Sequence, residues 1–162
     1  MSRLASADWR PVPNKNNGGI TPRMVIVHIM EGTLDGTDSL FHNPASQVSA
    51  HFGVGKDGQV YQWVDTDDMA WHAMDANAYA IGIENEGHCG EVLTKLQLAS
   101  NAAIFAWANN HYPAIDMWLN RRVEGSGLSY HALGGAAWGG HPCPCPPIIG
   151  QLDDILRIAK AF

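Results

Sequence analysis

The 162-residue sequence predicts one α/β domain, a mixed central β-sheet with helices packed on it, and three features carry that expectation. Met24 to Met30 is a nearly continuous apolar run, the mark of a strand buried on both faces. Val48 to Val64 alternates about a turn, as a hairpin does. Ile149 to Ala161 places Leu152, Ile155, Leu156 and Ala159 on one helical stripe that can dock on a sheet. A chain of this length is expected to form a single domain, 1–162, around one hydrophobic core.

Residues 1–21 show no apolar periodicity and are expected to form an irregular arm. The strand that follows, Val25-Ile26-Val27-His28-Ile29-Met30, carries its one polar residue near its end. A short helix is expected near Thr37 to Asn43. In the hairpin, Lys56-Asp57-Gly58 supplies turn chemistry between Phe52-Gly53-Val54 and Val60-Tyr61-Gln62-Trp63-Val64. The next strand, Ala80 to Glu86, sets Ile81 and Ile83 on one face and Gly82, Glu84 and Glu86 on the other, so two carboxylates share a side. Thr94-Lys95-Leu96-Gln97 has capping-box spacing ahead of an alanine-rich apolar run, which predicts a helix bounded by Pro113. Gly134 to Gly140 reads as a linker, and Trp138-Gly139-Gly140 is expected to shape a cleft near His131.

A content of 46% hydrophobic and 16% charged residues suits a folded globular protein rather than a disordered one. A net charge of −6 without any Lys/Arg cluster leaves no footprint for nucleic acid or an anionic membrane. Neither a signal-peptide core nor a membrane-length apolar stretch is visible, so synthesis in a cytoplasm and no membrane insertion are expected; a monomer is expected as well. Three cysteines, two of them only two residues apart, argue against a disulfide framework. Cys89, in Gly87-His88-Cys89-Gly90, reads as a loop thiol without a partner.

The chemistry concentrates in His28, His131 of Ser129-Tyr130-His131, and the run His141-Pro142-Cys143-Pro144-Cys145-Pro146. Two imidazoles and one thiolate meet the count of a catalytic zinc, three protein ligands and one open position. His28 taken alone also reads as a hydrogen-bonded core histidine. His42, His88 and His111 have no motif context and read as surface or loop residues.

Val48-Ser49-Ala50-His51-Phe52, Lys56-Asp57-Gly58-Gln59-Val60, Ala70-Trp71-His72-Ala73 and Ile81-Gly82-Ile83-Glu84-Asn85-Glu86-Gly87 follow one another in the order and spacing found in zinc-dependent N-acetylmuramoyl-L-alanine amidases. From about Val25 to Leu156 the chain resembles the type-2 amidase family, which is similar in fold to peptidoglycan recognition proteins and includes phage endolysins and wall-recycling enzymes. The resemblance implies a Zn2+ ion on His28, His131 and a Cys-Pro cysteine. Cys143 suits the spacing to the last helix, and Cys145 is the alternative, since neither Cys-Pro is followed by the family's glycine.

The resemblance further implies attack of a zinc-activated water on the amide between N-acetylmuramic acid and L-alanine of bacterial peptidoglycan. Glu84 would act as general base and then acid, with Glu86 as fallback, and His141 would stabilise the oxyanion. His51, Trp71, His72 and Asn77 match positions around the family's cleft and are expected to bind substrate or support the ligands. Ala50 stands where some members carry a tyrosine, which shifts weight onto Glu84. A phage endolysin acting on the wall after release at lysis is the expected setting. The alternatives are a wall-recycling amidase, a peptidoglycan-binding module that has lost hydrolysis, and a cysteine hydrolase using Cys143 or Cys145 with His131.

Overall fold

In the computed structural model, which describes residues 2–162, the apolar run becomes a strand buried at every position. The strands are β1 (Asp8–Trp9), β2 (Lys15–Gly19), β3 (Met24–Ile29), β4 (Phe52–Val54), β5 (Val60–Gln62), β6 (Asp68–Ala70), β7 (Ala80–Asn85) and β8 (Gly127–Tyr130). The helices are α1 (Leu34–His42), α2 (Lys95–His111), α3 (Pro146–Ile149) and α4 (Leu152–Ala159). Six strands form a mixed sheet in the order β1-β5-β4-β7-β3-β8, and β2 pairs with β6 in a separate ribbon. Among the described residues only the β4-β5 pair is antiparallel in the large sheet; β3, β4, β7 and β8 run parallel.

Strand alternation divides the sheet into a packing face and a working face. Val25, Val27, Phe52, Val54, Ile81 and Ile83 point to the side covered by α2 and α4, where they meet Ile104, Phe105, Leu152 and Ile155. Each such side chain contributes about 1.5–3 kcal/mol when fully buried. On the other side Met24 and Ile26 pack against Ala73, Ala76 and Trp138. That side opens toward the strand ends, where His28 and Glu84 emerge. A third cluster, with Phe41, Trp63 and Val64, roofs the hairpin. Trp63 comes so close that a Cβ on Gly53 would lie 2.2 Å from its ring.

Local signals set the helices. Thr33 caps α1 by accepting from the Gly36 N–H, so α1 begins before the expected Thr37. Thr94 and Gln97 form the capping box that starts α2. The expected last helix is two pieces: Pro146 and Pro147 open α3, which stops at Gly150 before α4 begins. Proline is favoured in a first helical turn because its missing N–H has no helical partner there.

Two further expectations are corrected. Among the described residues of the arm, β1 pairs with β5 and β2 with β6, while Val12 and Asn14 are buried. The arm is polar, so backbone pairing rather than an apolar pattern orders it. The Gly134 to Gly140 stretch is no linker either, because fully buried Trp138 anchors it to the core.

Candidate metal centre

Three parallel strands deliver the site by register. His28 and Glu84 are paired positions of β3 and β7, and Val27 pairs with Tyr130 of β8, which brings His131 alongside His28 at the strand ends. The carboxyl ends of parallel strands are where open α/β sheets place their ligands. The two imidazole centroids are 4.5 Å apart. Cys143 arrives from the loop after His141, held by the Ile29 N–H, which donates to Sγ at 3.3 Å, and by the Ala132 N–H, which donates to the Cys143 carbonyl at 2.7 Å.

Donor atoms of His28, His131 and Cys143 lie within 4.8 Å of one another. Two nitrogens and one sulfur at that spacing fit a tetrahedral cation site with one position open. The imidazoles are in the form that ligates metal, since burial, ahead of the neighbouring histidines, holds His28 well below its ordinary pKa, and burial also lowers His131. His131 Nε2–H donates to the Trp138 carbonyl at 2.5 Å, which leaves Nδ1 bare toward the cluster. Burial, then the Glu84 carboxylate, pushes the Cys143 thiol up to about 12, so the thiol keeps its proton until a cation displaces it.

Glu84 Oε1 is 3.8 Å from His28 Nδ1, and Oε2 is buried without a hydrogen-bond partner among the described residues. Burial raises this carboxyl to about 8. A cleft of about 380 Å³ opens in front, lined by His28, Glu84, His131, His141 and Cys143 among others. His141 is exposed at the rim, its ring 5.6 Å from that of His131. A carboxyl that burial holds protonated near neutrality and a cluster of donors suited to a cation thus share one concave site.

The four residues expected around the cleft separate. His51 is fully buried with both nitrogens engaged, Nε2–H donating to the Asp68 carbonyl and Nδ1 accepting from the Gly82 N–H, so direct substrate contact is corrected to a structural placement. His72 packs beneath His28, its Nδ1 3.0 Å from His28 Nε2. Asn77 accepts from the backbone N–H groups of His72 and Ala73 and shapes the turn that carries them. Trp71 remains half-exposed on the flank, its indole N–H donating to Asn16. Glu86 points elsewhere and accepts from the Lys56 N–H. His42, His88 and His111 are exposed.

The cysteine assignments change more. Cys89 and Cys145, 56 residues apart, form a disulfide, so Cys89 has a partner and Cys145 has no thiol to offer a metal. Cys143 is the free cysteine. The two Cys-Pro sulfurs go to different neighbours, one to the histidine cluster and one to the loop after β7. Sequence reasoning also missed the Trp138 carbonyl and Gly82. For Gly82 a signal existed, because a glycine inside a strand often marks a close approach, and here a Cβ would lie 2.7 Å from the His72 ring.

The family profile described as N-acetylmuramoyl-L-alanine amidase matches residues 18–146. N-acetylmuramoyl-L-alanine amidase A of Achromobacter lyticus is 42% identical over 91 residues, which cover 54% of this chain and 51% of that protein. The 1,6-anhydro-N-acetylmuramyl-L-alanine amidase AmpD of Citrobacter freundii is 36% identical over 77 residues, 43% of this chain and 41% of that one. The chain therefore spans about half the length, or less, of these relatives. The crystal structure of a selenomethionine AmpD derivative superposes with a TM-score of 0.76 at 24% identity, covering 94% of this chain and 96% of the other, a likeness of fold.

Proposed function

The chain belongs to the N-acetylmuramoyl-L-alanine amidase family, and from that premise we propose that it hydrolyses the amide between N-acetylmuramic acid and L-alanine in peptidoglycan, with zinc held by His28, His131 and Cys143. The observation that carries the reading is the convergence of those three donors beside a buried carboxyl with an unpaired oxygen. When bound, zinc supplies Lewis acidity, polarising the scissile carbonyl and making water acidic enough to react near neutral pH.

The protein's own groups do the rest. Glu84 takes a proton from the attacking water and returns it to the departing L-alanine nitrogen. Its placement suits that exchange, because Oε1 faces His28 and Oε2 has no competing hydrogen-bond partner among the described residues. His141, at the rim, is placed to donate a hydrogen bond to the carbonyl oxygen as charge develops on it. Trp71 offers an aromatic edge for the substrate, while His72 and Asn77 act from beneath. Cysteine hydrolysis is disfavoured, since a thiol near 12 is a poor nucleophile and Cys145 is bonded to Cys89. A binding module without hydrolysis has no need of the complete donor set.

The Cys89–Cys145 disulfide favours action outside a reducing cytoplasm, on the wall itself, as a phage endolysin acts after release at lysis. Similarity to AmpD supports a second substrate, soluble 1,6-anhydromuropeptides. The test offers zinc-loaded protein both purified sacculi and anhydromuropeptide. Stem peptides with a free N-terminal L-alanine are expected, from sacculi first, and a chelator should stop their release. A zinc-loaded protein that frees no such peptide from either substrate contradicts the proposal.

A further inference from the structure

We propose that His72 is a positioning residue that fixes the tautomer of His28, so that His28 presents a bare Nδ1 to the metal. The identity of the metal rests on the amidase reading; the hydrogen-bond relay stands on the geometry alone.

The relay starts at a backbone carbonyl. His72 Nε2 lies 3.3 Å from the Ala80 carbonyl, which can only accept, so Nε2 carries the proton. A neutral imidazole has one N–H, which leaves His72 Nδ1 as an acceptor. At 3.0 Å from His28 Nε2 it requires the proton of His28 to be on Nε2. His28 Nδ1 is then a lone pair facing Glu84 and the donor cluster.

Each neighbour keeps His72 in that state. Gly82 leaves room for the ring, since a Cβ there would lie 2.7 Å from His72 Cγ and Nδ1. Asn77 fixes the His72 backbone N–H. His51, the histidine on the far side, spends both nitrogens on Asp68 and Gly82 and does not compete.

Without His72, the Glu84 carboxyl remains beside the His28 ring, its Oε1 3.8 Å from Nδ1. A carboxyl oxygen there can accept from Nδ1–H, which draws the proton onto the atom the metal needs. His72 therefore does more than fill space: it decides which nitrogen of His28 is free.

The test reads tautomers in metal-free protein by long-range 1H–15N NMR and zinc affinity by competition with a chromophoric chelator. Wild type should show His28 and His72 protonated at Nε2. In His72→Ala, His28 should populate the Nδ1–H form and zinc should bind about 10–100-fold more weakly. His72→Asn, whose amide oxygen can stand where Nδ1 stood, should restore the tautomer and most of the affinity. A wild-type His28 protonated at Nδ1, or a His72→Ala protein with unchanged tautomer and affinity, overturns the proposal. If His72→Ala does not fold, the wild-type and His72→Asn spectra decide. Wild type that binds zinc yet cuts no peptidoglycan would sink the amidase reading and leave this relay intact.

Discussion

His28 and Glu84 face each other from paired positions on adjacent parallel strands, with Nδ1 and Oε1 3.8 Å apart. A metal-ligand candidate and a proton carrier are thus fixed by sheet register rather than by loop conformation. Register is rigid, because slipping β7 by one residue would send Glu84 into the core and Ile83 into the cleft.

Glu84→Gln keeps the shape of the side chain and removes its proton chemistry. Turnover should fall about 10²–10⁴-fold while zinc affinity changes little. Steady-state hydrolysis and a zinc titration on the same preparation separate the two, and a loss under tenfold would remove Glu84 from proton transfer.

The two Cys-Pro cysteines should behave differently. Cys143→Ala should lose zinc during gel filtration with modest change in melting temperature. Cys145→Ser breaks the bridge to Cys89 and should cost about 2–4 kcal/mol in denaturant unfolding while zinc is retained. Metal analysis after filtration distinguishes them; zinc retained by Cys143→Ala would exclude its thiolate as a ligand.

Two strand glycines make a matched pair. Gly53→Ala drives a methyl into Trp63 and should destabilise the fold by about 1–3 kcal/mol without altering zinc affinity. Gly82→Ala pushes on His72 instead and should weaken zinc binding. Calorimetry beside zinc titration checks both, and equal zinc affinities would show that the His72 ring tolerates displacement.

The metal-free protein should be most stable near pH 6.5. Burial puts folded His51 near 4 and His72 near 3, against 6.5 when exposed, so below about 6.5 the unfolded chain takes up protons that the folded one refuses and stability falls. Glu84 has the opposite sign. Its folded value of about 8 lies above the 4.5 of an exposed glutamate, so stability declines from 4.5 to 8 as the unfolded carboxylate ionises first. Between 4.5 and 6.5 the histidines outweigh it; from 6.5 to 8 its loss continues without them, and from about 9 the Cys143 thiol, held near 12 when folded, adds a loss of the same sign. Urea midpoints across pH should show this maximum, and Glu84→Gln should flatten its alkaline side.

Much of this was legible in the sequence where local chemistry is decisive. The apolar run marked β3, the Thr94 and Gln97 pair marked the start of α2, and the alternation around Glu84 put it opposite Ile81 and Ile83. What was hidden depends on distant pairing. Nothing local to Cys89 points to Cys145, and nothing in the polar arm announces that β1 will borrow the edge of β5. His72 resembled a cleft residue because its hydrogen bonds run to His28 and Ala80, partners that only the folded sheet brings within reach.

Whether His28, His131 and Cys143 hold one zinc ion is read from X-ray absorption at the zinc edge of the loaded protein. One zinc per chain with two nitrogens at about 2.0–2.1 Å and one sulfur at about 2.3 Å is the predicted result. A chain that retains no zinc, or a coordination sphere without sulfur, would contradict the account.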